Sequence, residues 1–485
     1  MLAVLRARNV HIGNGVRLFI GGCHLRVRTE MRIIAGDALI AVEEALARLA
    51  AVRPALGRER LPVASALGRT LAEPLSAPLP LPPFDRAAMD GYAVRAADVA
   101  EGVVLPVAGR TLAGDPPGRV APGTAWRIFT GAPMPVGANS VVEQEMVTLG
   151  ANGAAFGRAV SAGRNIMRQG HERRAGEAVA QVGDRLTVAH LGLLASTGMA
   201  EVWVWSRPRV AIVEVGSELA PAGTALAPGR IYGVHRVWIP AAVAEWGGDV
   251  VSCVHVPDDR TAIGRAVDDA LGVADLVITT GGVSVGDADF LPAVLAEHAT
   301  LLFWRVSMHP GRAVAAARRG DRLLVALSGN PGAAYLSATV LVAPWWAAAH
   351  QGRLVGRHSV EPLIGGFPRP TREPRYLCVR RVPGGVAADL PTGADVLTSY
   401  LRADGLAIVP ENSPAVASGT SVSYWETPGV GGMSPRWVAA ERQVGRGSGG
   451  FDRNSRGRRR SIHHPGNAGG ASRGQQRKRG RQDGQ

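Results

Sequence analysis

Between residues 208 and 330 the chain alternates short, almost wholly apolar runs with longer segments whose apolar positions recur every three or four residues. "PRVAIVEVG" (208–216), "GGDVVSCVHV" (247–256) and "ADLVITTGG" (274–282) are of the first kind, and each gives way to Gly or Asp. "VWIPAAVAEWG" and "TAIGRAVDDALGV" lie between them and read as helices. Strand, helix, strand, helix, strand at this spacing predicts a three-layer α/β domain with a parallel sheet buried on both faces. "RLLVALSGNPGAAYLSATVLVAPWW" adds a further strand, a tight turn and an apolar helix.

The pattern differs on either side. "MRIIAGDALIAVEEALARLAAV", from Met31, predicts a helix with Leu39, Val42, Leu46 and Leu49 on one stripe. Residues 77 to 170 are glycine-rich with short strand-like runs, and 31–76 with 171–207 form a helical and extended linker around them. After about residue 358, short strands with Pro and Gly turns predict a small β module that ends near Glu426. Met31 reads as the natural start, with 1–30 an extension outside the fold. Within it "VRLFIGGCHLRV" is short and flanked by Arg17 and Arg26 without a cleavage site, unlike a secretory signal. Residues 427–485 are low in complexity and expected to be disordered.

Composition narrows the function classes. At 485 residues and 46% apolar content, several domains with real cores are expected. No uninterrupted apolar run reaches the ~18–20 residues of a bilayer span. Cys23, Cys253 and Cys378 lie far apart and match no zinc or redox spacing, which suits a reduced, cytoplasmic protein. The net charge is +14, but +10 sits on residues 427–485 and +4 on residues 1–30, so the body is balanced. Nucleic acid could therefore be held only through the tail. The sole lysine is Lys478, which excludes lysine-based catalysis in the folded body.

In an open parallel sheet, ligands bind at the carboxyl ends of the strands. Four loops fall there: "VGSEL" with Glu218, "VPDDR" with Asp258 and Asp259, "TTGGVSVGDADF" (279–290), and "LSGNPGAA" (327–334). In the third, Gly281, Gly282 and Gly286 let backbone N–H groups approach an anion. Thr279, Thr280 and Ser284 add hydroxyls, and Asp287 and Asp289 supply carboxylates suited to Mg²⁺. Such loops also simply close strand–helix turns. "MHPGR" (308–312) and the upstream Arg305 add cations around Pro310 and Gly311. Further upstream, "PPFDRAAMDGYAV" (82–94) carries Asp85, suited to tying down a turn, and Asp90, whose neighbour Gly91 would let the loop approach a ligand closely.

These motifs occur in an order that resembles the molybdopterin molybdenumtransferases, the family that includes the C-terminal domain of gephyrin. The likeness runs from about Met31 to Glu426. It rests on "PPFDRAAMDGYAV", "RIFTGAPMPVGANSVVEQE", "GRNIMRQG", "AGE", "GSEL", "GRIY", "TTGGVSVGDADF", "HPGR", "SGNP" and "LTSYLRADGLAIVP". The resemblance implies an inserted β-rich domain (77–170), a molybdopterin-binding α/β domain (208–357) and a C-terminal β-barrel (358–426). It implies a homodimer with the active site between subunits, and Mg²⁺-dependent insertion of molybdate into adenylylated molybdopterin with release of AMP. The molybdopterin adenylyltransferase and molybdoenzyme apoproteins are the implied further partners.

Carried over by position, Asp90, Glu172, Glu218, Asp258 and Asp289 are the implied catalytic acids, with Glu218 and Asp289 as metal ligands. Thr130 and Gly131 in "FTGAP", Thr280, Gly281, Gly282, Ser284, Gly286, Arg305, His309, Pro310, Gly311, Arg312, Ser328, Gly329, Asn330 and Pro331 are implied on the substrate side. Arg375 and Ser399 look like the residues that reach the molybdate pocket.

Departures stand beside these matches. Arg86 and Ala87 replace Asn and Ser of "FDNSAMDGYA", and Glu172 replaces the Asp of "GED". "TGDEL" becomes "VGSEL" at Ser217. "IYDSNRY" becomes "IYGVHRV", with Gly233 and His235 for Asp and Asn. "KPGKP" becomes "HPGRA", and Ala333 removes a serine from "GNPVSA". The altered oxyanion anchors leave a second expectation open: a divergent paralogue that binds molybdopterin as carrier or scaffold without efficient metal insertion.

Overall fold

The computed structural model describes residues 39–283, 290–350, 358–391 and 393–426. Ser284, Gly286, Asp287 and Asp289 lie outside these residues, as do the 1–30 extension and the 427–485 tail.

At the centre is a six-stranded sheet. Its strands are β1 (Arg209–Val215), β2 (Asp249–Val256), β3 (Leu276–Thr280), β4 (Thr300–Trp304), β5 (Ala315–Arg319) and β6 (Arg322–Leu327), in the spatial order β2-β1-β3-β6-β5-β4. Helix α1 (His235–Trp246) joins β1 to β2, and α2 (Arg260–Val273) joins β2 to β3. The alternation of apolar runs and helical stripes thus forms the three-layer α/β domain expected from it.

Two details depart from the expectation. β2, β1, β3 and β6 are mutually parallel, but β5 runs antiparallel to both β6 and β4. The cause is local: only Gly320 and Asp321 separate β5 from β6, and Gly320 sits at φ +64°, so the chain reverses in a hairpin and has no room for a crossover helix. The edge strand β2 is also not covered on both faces; Val250, Val251 and Val254 are exposed.

The two faces of the sheet carry separate cores. One joins Ile263, Val267 and Leu271 of α2 to the Ala211, Val213 and Val277 face. The other joins Ile239, Val243 and Trp246 of α1 to Ile212, Ile278, Trp345 and Trp346. The N-terminal helix Val42–Ala50 enters this second core through Val42, Ala45 and Leu49, and the Trp345 indole N–H donates to Val52 O at 2.7 Å. That helix therefore packs on the α/β domain and not with the linker strands that follow it. The 331–349 helical run is long and apolar enough to span a bilayer by composition, yet it is mostly buried in this core.

The linker pairs strand Arg58–Pro62 with Glu201–Trp205 and Leu75–Ser76 with Ala178–Ala180, around a small core of Val63, Leu71, Leu186, Leu194 and Val204. The segment between them makes its own sheet, in the order 107–111, 125–128, 91–94, 140–143, beside a three-stranded sheet that contains the 147–150/153–156 hairpin. Neither hydrophobic cluster of that segment includes a residue from 208–426. The C-terminal strands His358–Ile364, Arg375–Val382, Gly385–Ala387, Gly405–Val409 and Thr420–Glu426 close into a barrel. Its outward residues Tyr376, Cys378, Leu406 and Trp425 join the α1 side core.

The barrel module also grips the helix that starts at Pro331. Ala333 N donates to Ala394 O at 2.7 Å, and the Tyr400 hydroxyl donates to Gly332 O at 3.0 Å. A Cβ on Gly332 would stand 2.6 Å from Val396 O and 2.9 Å from Ala394 O. Gly332→Ala should therefore destabilise the protein by about 1–3 kcal/mol, because backbone must shift to make room. A denaturant midpoint lowered at unchanged slope is the expected reading, and an unchanged midpoint contradicts this packing.

Candidate active site

The first cluster of candidate residues lies in the inserted segment. Asp90 immediately precedes strand 91–94, which is held between 125–128 and 140–143. That arrangement brings Thr130, just past the end of the adjacent strand, onto the aspartate. Asp90 Oδ1 accepts from the Thr130 hydroxyl at 2.7 Å and from Thr130 N at 2.8 Å. The Thr130 hydroxyl and then its N–H hold the Asp90 carboxyl below the usual carboxylate range, with a smaller contribution from Arg127. The Arg127 guanidinium lies over Tyr92 and Phe129, at 5.1 and 4.6 Å from the ring centres.

Gly91 has a different role from the one expected. A Cβ there would stand 1.9 Å from Val142 O, so strand packing, not ligand approach, requires the glycine. Asp85 ties down its turn: it accepts from Gln169 N at 2.8 Å and Arg168 Nη1 at 2.5 Å. Gly131 follows Thr130 at φ +85° and donates its N–H to Ala87 O. Glu172 is exposed, and its N–H donates to Leu81 O at 2.9 Å.

The second cluster is the carboxyl edge of the sheet. Glu218 follows β1, is exposed, and has no side-chain hydrogen-bond partner among the described residues. Its carboxylate folds back over Gly216, where an added Cβ would stand 2.7 Å from Oε2. The "GSEL" and "GRIY" motifs meet through Leu219↔Ile231 and Ala220↔Tyr232. Ser217, at the altered position, binds Asp258 reciprocally: Ser217 N donates to Asp258 Oδ2 at 2.7 Å, and Asp258 N donates to Ser217 Oγ at 2.9 Å. Asp258 thus links two loops. Asp259 is a helix cap, accepting from Ala262 N at 2.8 Å.

The third and fourth loops touch at backbone distance. Gly281, at φ +84°, leaves only 2.3 Å between a would-be Cβ and Val215 O, and a Cβ on Gly329 would stand 3.4 Å from Gly281 Cα. Gly281 N donates to Leu327 O at 3.2 Å. The Thr279 and Thr280 hydroxyls are buried without a partner among the described residues. Gly282 follows at φ +62°, and Ser328 Oγ accepts from Asn330 N at 3.2 Å. Pro331 opens the helix, and Ala333 N is taken up by the barrel module as described.

A group of cations borders these loops. His309 N donates to Pro374 O and His309 O accepts from Tyr376 N, both at 2.9 Å, which sets the "HPGR" turn against Arg375. Gly311 is closed in by Ser337, 2.6 Å from a would-be Cβ. Partial burial and the neighbouring Arg375 and Arg312 keep the His309 imidazole below its usual pKa, so it carries less charge near neutral pH than a lysine would. Arg305, at φ +71°, neighbours Arg312. Arg375 Nε is buried without a partner among the described residues. Arg312 instead faces Glu373 through both sides of its fork, with Nε to Oε2 at 2.9 Å. Ser399 is buried and gives its hydroxyl proton to Pro391 O at 2.6 Å.

Sequence reasoning missed Glu214, Glu373 and Arg127. Glu214 had a legible signal, a carboxylate within the otherwise apolar run 210–215. Glu373 had a weaker one, lying two residues before Arg375 in a charged turn.

Residues 40–198 match the MoeA N-terminal region (domain I and II), and residues 211–348 match a probable molybdopterin binding domain. A molybdopterin molybdenumtransferase 2 of Mycobacterium tuberculosis is 35% identical over 386 residues, covering 76% of this chain and 94% of that protein. The chain belongs to the molybdopterin molybdenumtransferase family. A Bacillus subtilis member is 34% identical over 79% of this chain and 93% of its own length. The solved structure of the molybdopterin biosynthesis MoeA protein from Pyrococcus horikoshii OT3 superposes with a TM-score of 0.70 at 26% identity, covering 80% of this chain and all of that one.

Within this family member the Asp90–Thr130 contact makes a direct prediction. Thr130→Val should move the Asp90 carboxyl up towards its ordinary value of 3.8, read by NMR titration of side-chain carboxyl carbons. Because the folded-state pKa is depressed, the contribution is present above the unfolded-state value and is lost as pH falls through the folded one. An Asp90 titration unmoved by the substitution contradicts the contact.

Proposed function

We propose that the chain inserts molybdate into adenylylated molybdopterin in a Mg²⁺-dependent step that releases AMP, acting in the cytoplasm as a homodimer. The observation that carries this reading is the contact of loops 279–282 and 328–331 at the carboxyl edge of the sheet, with Glu218 exposed beyond β1 and the 309–312 turn, which carries His309 and Arg312, packed on the helix that follows 328–331. A phosphoanhydride and molybdate are both oxyanions, and their reaction needs preorganised charge and N–H donors more than a covalent nucleophile. Arg375, with its unpartnered Nε, offers a donor to such an anion.

Oxygen donors suit Mg²⁺, and the Glu218 carboxylate has its lone pairs free. Among the described residues no three ligating side chains converge. Glu218, together with Asp289 outside the described residues, would hold the ion. When bound, Mg²⁺ would neutralise the charge of the phosphoanhydride. Glu218 can also orient water, while the cations place the oxyanion. Asp90 belongs to a segment that shares no hydrophobic cluster with the α/β domain, so in this reading its half of the site serves a second subunit.

Three observations favour the second reading, molybdopterin binding without efficient insertion: the Arg312–Glu373 pair, the inward Ser399 hydroxyl and the reduced charge of His309. Its mark would be tight molybdopterin binding without turnover, with His309→Lys raising activity.

The purified protein with adenylylated molybdopterin, molybdate and Mg²⁺ should release AMP and yield active cofactor. Glu218→Gln should slow release by on the order of 10²-fold, typical of losing one preorganised charge. Absence of AMP release from the unmodified protein contradicts the insertion reading.

A further inference from the structure

Glu214 lies near the end of β1, wholly buried in a run that is otherwise apolar. A buried carboxylate without partners is very costly, so its partners reveal its purpose. Oε1 accepts from His235 N at 3.0 Å and from Arg236 N at 3.4 Å, and Oε2 accepts from Arg236 Nε at 2.8 Å. All three donors belong to the first residues of α1.

That helix has no cap of its own. Val234 occupies the N-cap position and makes no side-chain bond to the helix. Helix starts favour Ser, Thr, Asp or Asn there, because the first N–H groups lack intrahelical partners. Glu214 fills that role from the neighbouring strand, and its charge also meets the positive end of the helix dipole.

Gly233 packs against the same carboxylate. Its backbone is not in the left-handed region, so conformation does not demand a glycine. A Cβ there would stand 2.6 Å from Glu214 Oε2 and 3.1 Å from Cδ. The Glu214 carboxylate occupies the space that a side chain at 233 would enter. Where the family motif reads "IYDSNRY", this chain has neither the acid at 233 nor the serine at 234, the N-cap position, and an acid reaches the space beside 233 from β1.

The consequence extends to the ligand loops. The Trp238 indole N–H donates to His235 Nδ1 at 3.0 Å, which leaves the proton on Nε2, where it donates to Gly329 O at 2.9 Å. Gly329 in turn lies against Gly281. We propose that Glu214 is a positioning residue that replaces a carboxylate at position 233. It caps α1, orients Arg236 and, through His235, fixes the 328–331 loop for molybdopterin. The ligand part rests on the function proposed above, whereas the capping part does not.

A swap of the carboxylate tests this in the full-length protein, with wild type, Glu214→Ser, Gly233→Asp and the double variant. Hydrogen exchange at residues 235–238 reads the cap, and the molybdopterin Kd reads the loop. Glu214→Ser should speed exchange and weaken binding by about fivefold each, in line with a lost helix cap. The double variant should recover both to within about twofold, and Gly233→Asp alone should melt below wild type. Should Glu214→Ser not fold, Glu214→Gln keeps the volume but sets a donor against Arg236, and faster exchange at 235–236 is expected. Unchanged exchange in either Glu214 variant overturns the proposal, as does a double variant no better than Glu214→Ser. If wild type does not bind molybdopterin, the functional reading fails while the exchange data still decide the cap.

Discussion

The carboxyl edge of the sheet depends on backbones that approach one another without side chains between them. Gly281 lies against the carbonyl of Val215, and Gly329 lies against Gly281. Any Cβ at Gly281 would force the ends of β1 and β3 apart. The acids and cations lie on the rims of loops that these glycines bring together. Glu218 folds over Gly216, Ser217 and Asp258 bind reciprocally, and the "HPGR" turn is strung along the barrel strand at Arg375.

Much of the fold was legible because apolar periodicity reports burial directly. The runs at 208–216, 247–256 and 274–282 became β1, β2 and β3 within a few residues, and both intervening helices formed where the 3.6-residue stripe placed them. Strand direction was not legible for β5, since a two-residue connection decides it and apolar content does not. The packing of helix 42–50 on the α/β domain was hidden for a related reason. A stripe shows that a face is buried but not what buries it.

The site was legible as motifs and less so as chemistry. Sequence singled out Asp90, Glu218, His309 and Arg375 as candidates, and the structure supplies their surroundings: Thr130 binds Asp90, and Arg375 and Arg312 neighbour His309. It could not show that Asp258 is spent on holding Ser217, or that Arg312 already faces a carboxylate. Nor could it show that Gly91, Gly233 and Gly281 are glycines because neighbouring chain or side-chain atoms occupy their Cβ space. These are cross-strand relations between residues far apart in sequence. The lost acid at 233 reads as a deletion in one dimension and as a relocation in three.

In the function proposed, the chain carries two half-sites, Asp90–Thr130 on the inserted segment and Glu218 with the cation group on the α/β edge, which a second subunit would join. Mixed dimers of Asp90→Asn and Glu218→Gln protein measure this most directly, through AMP release after co-expression. A shared site leaves one intact centre in each mixed dimer, so the statistical mixture should regain about a quarter of wild-type activity. Activity no higher than that of either single variant would mean that each subunit builds its site alone, and would contradict the account.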